Sequence, residues 1–172
     1  MRLCKRAVRF LVVFALLLAP GIANASGSAM SATGGVHWTI GPEVFGAPVI
    51  SQPLTFTSRK TTDGIVSGSF EYHQRFDGAT SRFTGRVTCM NVYDGYRAKI
   101  GGLILSSNDP TVEVGSYGWF QVFDNGEGAA ASPDQSSLMG FGDAAANEAF
   151  CASPNLPRFG PWDVQGNVQV KG

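Results

Sequence analysis

The 172 residues carry 13 basic and 13 acidic side chains, no net formal charge, 44% hydrophobic content, only 15% charged residues and 22 glycines. The length suits one domain, and so much glycine favours turns and strands over long exposed helices. With no basic block, the phosphate neutralisation that drives nucleic-acid binding is excluded.

Arg2, Lys5, Arg6 and Arg9 precede an apolar run from Phe10 to Ala19, and Ala23-Asn24-Ala25 follows it. This is the pattern of a secretory signal over residues 1–25, cleaved after Ala25. The run is about half the roughly 20 residues a membrane helix needs, so no membrane span is expected after processing. Cys4 leaves with the signal, as do four basic residues and no acid, which makes the remaining chain mildly acidic. Cys89 and Cys151 remain, and an even pair in an exported chain reads as a disulfide. In the chain-entropy model such a bridge stabilises the fold by about 4 kcal/mol. The expected location is secreted or periplasmic.

Small polar residues from Ser26 to Gly35 are expected to form a flexible leader before a single β domain over 36–172. The apolar segments 36–40, 44–50 and 54–57 are broken by Pro42, Pro48 and Pro53, as in edge strands. Asp77-Gly78-Ala79-Thr80 reads as a hairpin loop. Pairing Phe76 with Ser81 sets Tyr72 opposite Gly85, Phe70 opposite Val87, Glu71 opposite Arg86 and His73 opposite Thr84. Asp94-Gly95 reads as a two-residue type I′ turn with Tyr93 facing Tyr96, Cys89 facing Ile100 and Val87 facing Gly102. Alternation then gathers Phe83, Val87, Cys89, Tyr93, Ala98, Ile100 and Ile104 on one apolar face, with Arg82, Thr84, Arg86, Thr88, Arg97 and Lys99 on the other.

Beyond the loop 106–110, a central strand is expected over 114–123, turn residues over 124–128 and a strand over 137–141. A short helix follows over 143–150 with Asp143 as N-cap. Cys151 would fasten this excursion to the sheet, and Pro154, Pro157 and Pro161 keep the next stretch irregular. Alternation of Val164, Gly166, Val168 and Val170 with polar residues marks a closing strand. About eight strands joined by short turns define an all-β, antiparallel sandwich or barrel.

Chemistry-bearing motifs are scarce. His37 and His73 are the only histidines, and no nucleophile elbow, zinc-binding helix, C-x-x-C pair or phosphate loop occurs. A hydrolase would have to rely on Glu71, His73 or the acidic turn. Asp124, Asn125 and Glu127 offer oxygens suited to Ca²⁺, with Asp134 and Asp143 as further ligands, although an Asn-Gly turn needs no ion. Trp38, Tyr72, Tyr93, Tyr96, Tyr117, Trp119 and Trp162 supply aromatic surface for a core or a binding platform. If the fold is a ligand-carrying barrel, its interior is expected to be lined by Phe70, Tyr72, Phe83, Tyr93 and Trp119.

The string F-D-N-G-E-G over Phe123 to Gly128, then Asp134, then Gly166-Asn167-Val168-Gln169-Val170, resembles exported bacterial β domains of the post-choice-of-anchor group. There a strand ends in D-N-G-E-P-G, an Asp starts the next strand and G-N-I/V-x-V closes the domain. This chain lacks the Pro of that turn and carries a longer insertion containing Cys151. The resemblance implies an extracytoplasmic β domain and carries over no catalytic residue. The functional expectation is an exported, non-catalytic β domain without a cofactor that binds a surface component, a glycan or a protein. The alternatives are a ligand-carrying barrel and a secreted hydrolase.

Overall fold

A computed structural model describes residues 28–41, 50–76, 79–156 and 160–172. The signal segment, most of the strand expected over 44–50 and the bend at Asp77-Gly78 lie outside the described residues. The elements are β1 (Ser28–Ile40), β2 (Ile50–Thr61), β3 (Val66–Phe76), β4 (Ala79–Tyr93), β5 (Arg97–Ser107), β6 (Tyr117–Phe123), β7 (Gln135–Ser136), β8 (Gly140–Gly142), helix α1 (Ala144–Ala152), β9 (Trp162–Asp163) and β10 (Gln165–Lys171). They form one antiparallel sheet in the order β10-β1-β2-β3-β4-β5-β6-β7-β9, with β8 also against β6. The sheet curls until it is nearly closed into a barrel.

The small residues expected as a leader are strand instead. From Ser28 onward they belong to β1, paired with β2 on one side and β10 on the other. Their size is the reason they fit: Ala32 is fully buried, and a Cβ on Gly34 would collide with the Phe56 ring.

The β3–β4 hairpin is tighter than expected. Phe76 pairs with Ala79, so Tyr72 faces Phe83, Phe70 faces Gly85, Glu71 faces Thr84 and His73 faces Arg82. The register moves by two residues, and a shift of two leaves every side chain on the same face. Phe70, Tyr72 and Phe83 therefore still enter the core.

At the β4–β5 hairpin Tyr93 pairs with Arg97, which leaves a three-residue loop. Asp94 and Gly95 take the positive φ angles of 58° and 78° that an Asp-Gly turn supplies. A β-bulge between Val87 and Cys89 then compensates, so Val87 still meets Gly102 while Cys89 meets Gly101. Because a bulge adds one residue, it exchanges the faces beyond it. Met90 points into the core with partly buried Val92 against it, whereas Cys89 and Tyr93, expected in that core, lie on the outside of the barrel.

Interior packing is aromatic and spans the barrel. Phe120 of β6 meets Phe56 of β2 at 5.3 Å and Phe70 of β3 at 5.9 Å, both edge-on. Tyr72 stacks on Phe83 at 4.7 Å, and Trp38 packs edge-on against Tyr72. Such pairs add roughly 0.5–1.5 kcal/mol each beyond the area they bury.

Candidate functional site

Three features position the residues with chemical potential: a clasp at the barrel seam, a surface ion pair, and a cleft beneath α1.

The seam lies where β10 approaches the β6–β7 end of the sheet, and carboxylates bridge it. Asp124 Oδ2 accepts from the Val170 N–H at 2.9 Å, and Asp134 Oδ2 accepts from the Val168 N–H at 2.6 Å. The remaining oxygens turn inward on the loop: Asp134 Oδ1 accepts from Asn125 N, and Asp124 Oδ1 from Gly126 N. Asn125 Nδ2 donates to the Pro133 carbonyl, and Glu127 stays exposed outside this network. Asp143 is elsewhere, capping α1 through the Ala146 N–H at 2.8 Å as expected. Among the described residues, no three His, Cys, Asp or Glu side chains converge as metal ligands would. Both carboxylates thus complete a β ladder, replacing strand pairing where β10 runs out of neighbours.

On the outer face of β3 and β4, Glu71 Oε1 lies 2.5 Å from His73 Nε2 and 3.0 Å from Arg82 Nε. The Arg82 hydrogen bond, then that of His73, holds the Glu71 carboxyl below the usual range. Arg82 replaces the expected Arg86 because of the two-residue register change. The trio is half exposed beside a depression of about 200 Å³, with its carboxylate already committed to two donors.

The cleft arises because α1 covers the outside of β4, β5 and β6. The helix is tied down by the Cys89–Cys151 disulfide, with Cα atoms 6.1 Å apart. Tyr93 Oη and Asn91 Nδ2 both donate to the Cys151 carbonyl, at 2.6 and 2.9 Å. Asn147, fully buried, donates to Thr88 Oγ1. Gly101 makes this docking possible, since a Cβ there would sit 2.1 Å from Asn147 Oδ1.

Between α1 and the chain from Ser137 to Gly140 a cleft of about 520 Å³ remains, walled by Trp119, Phe150, Leu138, Met139 and Leu156, with Lys99 inside. Trp119 stacks on Phe150 at 6.0 Å, and Lys99 Nζ lies 4.4 Å above the Phe150 ring. Trp119 therefore belongs to this outer site, not to the barrel interior. Lys99 is 2% exposed, and burial, then the neighbouring Arg97 charge, lowers its pKa. Gln121, its partner across the strands, is fully buried with neither side-chain atom hydrogen-bonded. A groove of about 480 Å³ across β2–β4 is lined by solvent-facing Thr55, Thr57, Ser69 and Thr84 and offers no comparable buried charge.

Sequence reasoning foresaw Cys89, Cys151, the N-cap and the outward direction of Lys99. It missed the cleft because it put Cys89 in the core. Had the disulfide been placed on the outer face, the helix it anchors would have been laid over Lys99. Comparison of the chain with family models, curated proteins and solved structures finds no match.

Proposed function

We propose that this chain is an extracytoplasmic, non-catalytic recognition domain that binds a surface component, a glycan or a protein, through the cleft beneath α1. The observation that carries this reading is a concave, largely apolar cavity with paired aromatic rings and one buried cation, the usual make-up of a ligand seat. The amino-terminal pattern and the disulfide support export. The seam clasp supports the resemblance to the post-choice-of-anchor group by giving its scattered motif one physical task. Asp124, Asp134 and the Val168–Val170 strand meet in a single hydrogen-bonded network. An interior carrier fits less well, since Phe56, Phe70 and Phe120 meet across the barrel. A hydrolase fits less well too, because Glu71 is held by Arg82 and His73 at an open surface.

The test is retention of the mature domain on cell-envelope fractions and a glycan array, with Trp119→Ala and Met139→Arg in parallel. Losing a central aromatic contact or filling the cleft should weaken retention by about tenfold while circular dichroism stays unchanged. Equal retention by folded variants would overturn the reading.

A further inference from the structure

The cleft beneath α1 contains an imbalance. Its walls are apolar, yet Lys99 lies within it and has only the Phe150 ring as a described partner. Among the described residues every ion pair lies elsewhere, and none involves Lys99. The cation–π contact offsets only part of the desolvation of an ammonium group. Beside it, on β6, the Gln121 amide is buried without a partner, and its backbone is bonded in both directions to Ser137, which also lines the cleft. A buried amide without a hydrogen-bond partner is uncommon, and Gln121 lies directly across from Lys99 on the neighbouring strand. The barrel interior on the other side of the same sheet is filled mostly by apolar side chains.

From this geometry we infer that the cleft binds a carboxylate joined to an apolar group, with the carboxylate at Lys99 and the apolar part against Trp119, Phe150 and Met139. An anion pairs with the cation through a charge-assisted hydrogen bond. The apolar walls offer few groups for a polyhydroxylated ring, so a compact aryl or alkyl acid suits them better than an uncharged sugar. Lys99 has its pKa lowered by burial, and a bound carboxylate reverses that effect by favouring the ammonium form. This inference rests on the cleft being the binding site of the proposed function, and it adds the ligand's chemistry.

Calorimetric titration of the mature domain with 3-phenylpropionate against 3-phenylpropionamide tests it. A second pair, N-acetylphenylalanine against its amide, represents the end of a peptide chain. The acid of at least one pair should bind about tenfold more tightly than its amide, as expected for a charge-assisted hydrogen bond. Preference in both pairs means that a chain end enters; preference in the first alone means a free acid. Lys99→Met should abolish the preference and Lys99→Arg should retain part of it. The wild-type comparison stands even if either variant fails to fold. Equal binding of acid and amide in both pairs, or no binding of any probe, overturns the inference. A preference for acids with no retention on envelope fractions would keep the cleft chemistry and discard the surface component; retention dependent on Trp119 without acid preference would do the reverse.

Discussion

The two faces of β4, β5 and β6 are both buried, yet in different ways. Inside, Phe120, Val122, Ile100 and Met90 pack against apolar partners from across the barrel. Outside, the layer under α1 holds Lys99, Arg97, Gln121 and Asn147, all at most 8% exposed. Arg97 reaches Asp94 through Nη2 while its Nε stays unpaired, and Gln121 and Asn147 also keep unpaired atoms. The inner face closes by the hydrophobic effect, which needs no exact partner. The outer face closes by one covalent bond and a few hydrogen bonds, and it leaves polar groups unsatisfied. Apolar burial and polar burial thus lie on opposite faces of these three strands.

That contrast can be broken by substitution. The largest effect is expected at Phe120→Ala, which removes the ring joining opposite walls of the barrel and should cost about 3–5 kcal/mol in chemical unfolding. A loss below 1 kcal/mol would mean that the interior is not packed as described. On the outer face, Cys151→Ser should lower stability by about 2–4 kcal/mol, and hydrogen exchange should speed up first in α1. Uniform acceleration through β1–β3 would show instead that the helix is integral to the barrel.

Asp134→Ala strips acceptors from Val168 N and Asn125 N, so about 2 kcal/mol should be lost, with exchange rising along β10. Gln121→Met should act in the opposite direction. Replacing an unpartnered buried amide by a similar apolar shape should raise stability by about 1 kcal/mol. Destabilisation by this variant would show that the amide is satisfied in solution. The smallest effect is expected at Glu71→Gln, below about 0.5 kcal/mol at neutral pH because the pair is half exposed and screened. Since the folded carboxyl titrates lower than the unfolded one, its contribution is present above the usual carboxylate range and lost as pH falls through the lowered value. Parent and variant should therefore converge in urea midpoint in acid.

Much of the barrel was legible in the residues. Alternation put Phe70, Tyr72, Phe83, Val87 and Ile100 on one face, and they share one core. The β3–β4 register is displaced by two residues from the expected one, an error invisible to face assignment because strand periodicity is two. At Asp94-Gly95 the extra loop residue and the bulge at Thr88 cancel at Val87 but not at Cys89 or Tyr93. A bulge has no obligatory sequence mark, which is why the covered outer face stayed hidden. The acidic turn was recognised as a motif, but its partners on β10 lie more than 30 residues away in sequence, and only closure of the sheet brings them together.

The two tryptophans Trp38 and Trp119 provide the most direct test, since one lies in the barrel core and the other in the cleft. Their indole N–H resonances can be followed by nuclear magnetic resonance while residues 26–172 are titrated with the envelope component that the proposed function predicts they retain. Recognition beneath α1 predicts a shift of the Trp119 signal with Trp38 unmoved. Movement of Trp38 with Trp119 unchanged, or of neither, would contradict it.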